Sequence, residues 1–332
     1  MSTVQLTIIG LGQIGASVGL GLASNSAQIQ RVGHDRSPET ANKAEKLGAV
    51  DRTQYNLHQA VENADIVLLA IPADQLRPTL EQIAPDLKDG AMVLDTSGLN
   101  CAVIDWAVQL LPKDRYFASF TPTLNPAYLL ENVYGIDAAH ADLFKHSLIY
   151  IACPPGIDPD AFTLAADLAG MLEAKPIFAD PMEIDGLVAA HNLLPKLAAV
   201  ALVNATIDEP GWPEGRKLAG RAYAYQTELA LHQDEDDTLG QSALVNKDNA
   251  VRVINNLIVQ LQQLRDAVAS EDAEGLSKQL MHARDGREEW WRRRQLEDWA
   301  LVPAPKLPTS GEAMGRFFGL GLRNLRKKNQ DR

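Results

Sequence analysis

Cysteine is scarce in this chain: two in 332 residues, Cys101 and Cys153, with no paired spacing. That excludes a disulfide scaffold or a cysteine zinc site as the organising device, and it fits a reducing compartment. Basic charge is short as well. Thirty-one Lys and Arg face 43 Asp and Glu, for a formal net charge of −12. Nucleic acids and anionic membranes both reward basic surfaces, so neither is expected as a partner. No run of about 18 uninterrupted apolar residues occurs, so no transmembrane helix is expected. The opening MSTVQLTIIG lacks the basic stretch of a signal peptide, and a cytoplasmic location is the expectation. Tandem repeats and low-complexity tracts are absent. What remains is an ordinary globular balance, 46% hydrophobic and 22% charged, in a chain long enough for about two domains.

The first half alternates short apolar runs with helical patterns. Val4 to Ile9, Gln30 to Gly33, Ile66 to Ile71, Met92 to Asp95, Tyr116 to Phe120 and Leu148 to Ala152 read as strands. Ile14 to Ala23, Glu39 to Leu47 and Gln75 to Ile83 read as helices between them. Continuous apolar strands separated by helices indicate an α/β fold, a doubly wound, Rossmann-type parallel sheet covered on both faces. From Pro181 onward the pattern is helical. Glu183 to Val203 is almost unbroken, with Pro195 as an expected kink. Val251, Ile254, Leu257, Ile258, Leu261, Leu264 and Val268 recur at helical spacing, a stripe expected to be buried against another helix. The expected organisation is a dinucleotide-binding domain over 1–179, an all-helical substrate and dimerisation domain over 180–300, and a proline-containing basic tail over 301–332. His232 to Asp237 is a dense acidic run whose spacing matches no metal loop, and no metal site is expected.

Gly10, Gly12 and Gly15 form a G-x-G-x-x-G that follows an apolar strand and opens a helix. The first glycine allows a tight turn, the second a close approach to a pyrophosphate, and the third close packing of helix on strand. The N–H groups at the helix start, around Gln13 and Ile14, face the phosphates with the positive end of the dipole. Asp35 stands about 20 residues on, where a carboxylate accepts bonds from both ribose hydroxyls and repels a 2′-phosphate. That favours NAD; Arg36 beside it keeps NADP open. Ala70 and Pro72 after the third strand, and Thr96 and Ser97 after the fourth, fall at strand carboxyl ends, where ligands of open α/β sheets sit.

The sequence resembles the prephenate and arogenate dehydrogenases of tyrosine biosynthesis from about Val4 to Arg294. The resemblance is carried by GLGQIGASVGLGL, GHDRSPE with LGAVD, NADIVLLAIP, DGAMVLDTSG, the DLF at 142–144, DPMEIDGLVAAHNLLPKLAA and SALVNKDNAVRVINNLIVQLQQLRDAV, in that order. It implies a homodimer with a Rossmann-type domain and a helical domain. It also implies NAD(P)-dependent oxidative decarboxylation of a cyclohexadienol, with prephenate or arogenate as the small-molecule substrate. A dehydrogenase for another small hydroxy acid or imine, and a non-catalytic dinucleotide sensor, are the alternatives.

The substrate half departs from the family pattern. Where the family has G-x-H-P-M after its fifth strand, this chain has Ser119-Phe120-Thr121-Pro122, so Thr121 stands at the histidine that bonds the reacting hydroxyl. The family's G-S-V-K is matched by Ser97-Gly98-Leu99-Asn100, with the serine one place early and asparagine for lysine. Its S-H-L-P-H is matched by Asn192-Leu193-Leu194-Pro195-Lys196, with His191 just upstream. Its F-R-D arginine has Ala224 at the matched position, with Arg221 three residues before. The implied catalytic set is therefore Thr121 lining the site, Ser97, His191 as acceptor, and Arg221 or Lys196 as carboxylate anchor.

Overall fold

The computed structural model describes residues 3–231 and 238–299; the acidic run at 232–237 and the basic tail at 301–332 lie outside the described residues. The chain divides into two compact units, one of Met1–Met182 with the segment from Arg293 onward, the other of Glu183–Arg292.

In the first unit the elements follow as β1 (Val4–Ile9), α1 (Gln13–Gly21), β2 (Ile29–His34), α2 (Pro38–Lys46), β3 (Arg52–Thr53), α3 (Leu57–Val61), β4 (Ile66–Leu69), α4 (Ala73–Ile83), β5 (Met92–Asp95), α5 (Asn100–Leu110), β6 (Tyr116–Pro122), β7 (Leu148–Ala152), α6 (Pro159–Met171) and β8 (Lys175–Phe178). They form one eight-stranded sheet in the order β3-β2-β1-β4-β5-β6-β7-β8. The central strands are covered on both faces: all residues of β1, β4 and β5 are buried, with Gln5 and Thr7 of β1 donating to the Ala60 carbonyl. The core joins Leu6, Ile8, Leu68, Leu94 and Phe120 to Val18, Leu22 and Leu168 of the helices. Local signals set the helix starts. Ser37 caps α2 by accepting from the Thr40 N–H, with Pro38 in the first turn.

One strand departs from the all-parallel expectation. β7 pairs antiparallel with β6, while β8 runs parallel to β7. A parallel return needs a long covering crossover, and between β6 and β7 the chain makes only the short turns Pro126–Tyr128 and Gly135–Ala138.

The second unit is helical, with α7 (Pro181–Val188) leading into it. α8 (Leu194–Ile207), α9 (Trp212–Leu218), α10 (Arg221–Thr227), α11 (Thr238–Val245), α12 (Lys247–Ala269) and α13 (Ala273–Gln295) follow. α10 packs on α8, and α12 packs on α8 and on the turn before it.

Between α7 and α8 lies a π-helical turn, Ala189–Leu193, in which the Leu194 N–H donates to the Ala189 carbonyl. This is the expected disturbance at Pro195. The ring removes the N–H that an α-helix would give to the His191 carbonyl, and a wider turn just before it absorbs the mismatch without breaking the helix. The whole stretch Pro181–Ile207 is long and apolar enough to cross a membrane by length and composition alone, with a mean hydropathy of 1.6 over its best 18 residues. The absence of uninterrupted apolar residues did not register this, because isolated polar residues such as His191 and Lys196 are tolerated in such a window.

The apolar stripe of α12 corrects an expectation. Val251, Ile258, Leu261 and Val268 are exposed, Leu261 at 55% and Val268 at 62%, whereas Ala250, Val253 and Ala267 are the buried residues of this helix. Ile254, Leu257 and Leu264 of the same stripe are half-buried, so the stripe is only partly covered within the described residues.

Candidate active site

The turn after β1 holds three glycines in different surroundings. Gly10 has φ +90°, and a Cβ there would lie 2.2 Å from the Ala70 carbonyl oxygen. A Cβ on Gly15 would lie 1.9 Å from the Gly10 oxygen, so only glycine lets α1 start so close to β1. Gly12 differs: a Cβ there meets nothing within 4 Å. No clash inside the protein demands glycine at this position, so the space in front of it is available to a ligand. Gly12 is also the N-cap of α1, and no side chain caps this helix. The first-turn N–H groups, including those of Gln13 and Ile14, are thus left for an anion.

Asp35 follows β2. Its Oδ2 accepts from the Leu11 N–H at 2.8 Å and its Oδ1 from the Ser37 N–H at 2.8 Å. The carboxylate therefore holds the glycine turn in place, and each oxygen keeps a further lone pair outward. Arg36 beside it is exposed. Ala70 leaves β4 with its N–H on the Ile9 carbonyl, and Pro72 is the N-cap of α4. Thr96 turns back on β4, its N–H and hydroxyl both donating to the Leu69 carbonyl at 3.0 Å. All of these flank the carboxyl ends of β1, β4 and β5.

Ser97 is tied down rather than presented. Its hydroxyl donates to the buried Asp95 at 2.6 Å and accepts from the Leu99 N–H at 3.2 Å. This shapes the turn into α5, whose first residue is Asn100. Asn100 and Ser119 are fully buried, and the Asn100 Oδ1 accepts a short bond from the Ser119 hydroxyl and one of 3.2 Å from the Thr121 hydroxyl. A neutral cluster thus stands at the ends of β5 and β6. With its proton directed at Asn100, the Thr121 oxygen offers lone pairs to a ligand. Asn100 was read from the sequence only as a lost lysine; its spacing gave no signal that it would receive two hydroxyls from β6.

The other three candidates belong to the second unit. His191 sits in the π turn and is exposed; Lys196 lies in the first turn of α8. On a regular α-helix five residues would set them about 140° apart. A turn with i to i+5 bonding narrows that angle. Arg221 opens α10, exposed, on a helix anchored to α8 by the Tyr223 hydroxyl on Thr206 at 2.8 Å. The side chains of His191 and Arg221 make no hydrogen bond or ion pair with another described residue. Among the described residues no three His, Cys, Asp or Glu side chains gather to hold a metal ion. Burial pushes the Cys153 thiol up to about 11, so it is protonated and inert near neutrality.

A mostly parallel sheet with a glycine turn opening α1 and a carboxylate at the end of β2 defines a Rossmann-type nucleotide-binding protein. Comparison with known proteins narrows this class. The family described as prephenate dehydrogenase, nucleotide-binding domain, matches residues 18–177. The prephenate dehydrogenase of Bacillus subtilis is 26% identical over 293 residues, covering 87% of this chain and 77% of that protein. The cyclohexadienyl dehydrogenase of Zymomonas mobilis is 24% identical over 286 residues, covering 85% and 94%. The crystal structure of prephenate dehydrogenase from Aquifex aeolicus, in complex with hydroxyphenyl propionate and NAD⁺, shares the fold with a TM-score of 0.76 at 20% identity, over 87% of this chain and 99% of that one. The chain is thus similar to the prephenate and cyclohexadienyl dehydrogenases over most of its length, and the family model covers its nucleotide-binding part. The matched stretch starts after the glycine turn, so that turn stands on its own geometry.

Proposed function

We propose that the protein is an NAD-dependent dehydrogenase of tyrosine biosynthesis, oxidising prephenate or arogenate. The observation that carries the cofactor half is the contrast within the glycine turn: two glycines forced by backbone contacts and one, Gly12, facing open space. Gly12, Gln13, Ile14 and Gly15 would hold the pyrophosphate, Asp35 the ribose, with Arg36 beside it, and Ala70, Pro72 and Thr96 the strand ends beyond. NAD supplies the hydride acceptor when bound.

The residues of this chain do the rest. Thr121, its proton engaged by Asn100, accepts a hydrogen bond from the substrate ring hydroxyl and orients it. A threonine does not take up that proton near pH 7, so we assign its removal to His191, an imidazole base. Lys196 and Arg221 supply positive charge for a substrate carboxylate. Loss of carbon dioxide then follows from aromatisation of the ring. The exposed stripe of α12, together with Pro181–Ile207, supports a homodimer: buried against a second copy, it would leave no large apolar face in water. We place the protein in the cytoplasm, acting on a small molecule rather than on nucleic acid or membrane.

The test is absorbance at 340 nm with prephenate and L-arogenate, each with NAD⁺ and with NADP⁺. Turnover is expected with NAD⁺, and His191→Ala should lower kcat at unchanged NAD⁺ affinity. Tight NAD⁺ binding with no turnover on either substrate would transfer the protein to another hydroxy acid or imine, or to cofactor sensing. Failure to bind either cofactor defeats all three readings.

A further inference from the structure

Arg294 lies in the last turn of α13, within the segment that belongs to the first unit, and is 9% exposed. One guanidinium N–H donates to the Leu124 carbonyl at 2.5 Å, and the group lies over the Trp299 ring, 5.0 Å from its centre. Among the described residues no carboxylate stands within ion-pair distance of it. Burial holds its pKa below the usual guanidinium value, and the Tyr150 phenol is the titratable group acting on it. Arg31, the other buried arginine of the unit, shows the ordinary arrangement: Asp51 neutralises it at 2.5 Å. A buried cation without a counter-charge is strongly unfavourable. An anion arriving from outside removes that penalty.

The position in the fold says which anion. Leu124 follows β6, so Arg294 is fastened at the carboxyl edge of that strand, where ligands of open α/β sheets bind. Tyr150 of β7 is the register partner of Thr121 on β6. Side chains directly opposed in an antiparallel pair project from one face, and Ser119, two residues before Thr121, shares it. The face that carries the neutral Asn100–Ser119–Thr121 cluster therefore also carries Tyr150, whose phenol acts electrostatically on the guanidinium. We infer that Arg294 is the anion anchor of the first unit's ligand site, taking a carboxylate of the molecule whose hydroxyl meets Thr121. This rests on the dehydrogenase reading above. Leu124 and Trp299 fix the guanidinium plane, which leaves the fork of remaining N–H donors for a carboxylate.

The experiment compares two probes on the full chain with NAD⁺ at saturation: 3-(4-hydroxyphenyl)propionate and 4-propylphenol, which differ by the carboxylate. Calorimetry is run on wild type, Arg294→Met, Arg294→Gln and Arg294→Lys, with the NAD⁺ dissociation constant as the check that each variant is folded. Arg294→Met and Arg294→Gln should bind the propionate about 10- to 100-fold more weakly and 4-propylphenol unchanged, while Arg294→Lys recovers part of the loss. Equal losses for both probes, or none for either, overturn the anchor and leave Arg294 a strut between α13 and Leu124. Wild-type protein that binds NAD⁺ but neither phenol defeats the dehydrogenase reading instead. The anchor is then judged on benzoate, which must raise the Tm of wild type and not of Arg294→Gln; no rise in wild type overturns it.

Discussion

The two units treat their apolar residues in opposite ways. In the first, β1, β4 and β5 are buried along their whole length between helices. In the second, α12 turns Leu261 and Val268 outward and buries Ala250, Val253 and Ala267. The candidate residues differ in kind as well. Those proposed for the cofactor offer backbone: N–H groups at the start of α1, and glycines whose missing side chains make the room. Those proposed for the substrate, Thr121, His191, Lys196 and Arg221, offer individual side chains, and none is the family pattern's own histidine or arginine at its matched position. A site built from backbone tolerates few substitutions, because nearly any side chain there is a clash. A site built from side chains can be rewritten residue by residue on an unchanged frame.

The glycine turn gives the largest expected effect. Gly15→Ala forces a Cβ into the Gly10 carbonyl, so both Tm and NAD⁺ affinity should fall, the latter by about 100-fold or more, roughly 2.7 kcal/mol. Gly12→Ala should leave Tm unchanged and weaken NAD⁺ alone. Thermal melts beside calorimetry check the pair, and equal behaviour of the two variants would break the distinction between packing and ligand glycines.

Asp51→Ala probes the frame without touching the site. Arg31 is left buried with only the Gly19 and Gly48 carbonyls, for a loss of about 2 kcal/mol, below the figure for a fully buried pair because Asp51 is partly open to solvent. Burial pushes the Asp51 carboxyl up, but the hydrogen bonds and charge of Arg31 outweigh it and hold it below its ordinary 3.8. The stability it contributes is present above about pH 4 and is lost as pH falls through its lowered value. Denaturant melts from pH 7 to pH 2 should show wild type losing stability faster than the variant at the acid end.

The smallest effect on ligand binding is expected in the second unit. Leu261→Glu with Val268→Glu should convert a dimer to monomer in light scattering while leaving the NAD⁺ dissociation constant of the first unit unchanged. Persistence of the dimer would mean the exposed stripe of α12 is not its interface.

The same contrast governs what could be read from residues in order. Strands buried on both faces announce themselves as apolar runs, and a glycine turn depends on an absence that any reader of the sequence can see. The antiparallel β7 was not legible from its own residues, since Leu148–Ala152 looks like its parallel neighbours; the signal was the missing helix before it. The Asn100 cluster was not legible because it joins residues 19 and 21 positions apart through a sheet register. Arg294 was invisible for a stronger reason: its partner Leu124 is 170 positions away.

That last separation has a consequence for synthesis. A ribosome releases Leu124 long before Arg294 exists, and in between it must deliver the whole of Glu183–Arg292. The nascent first unit therefore waits with one edge unfinished until α13 emerges, and translation order puts the Arg294 clasp late in its assembly.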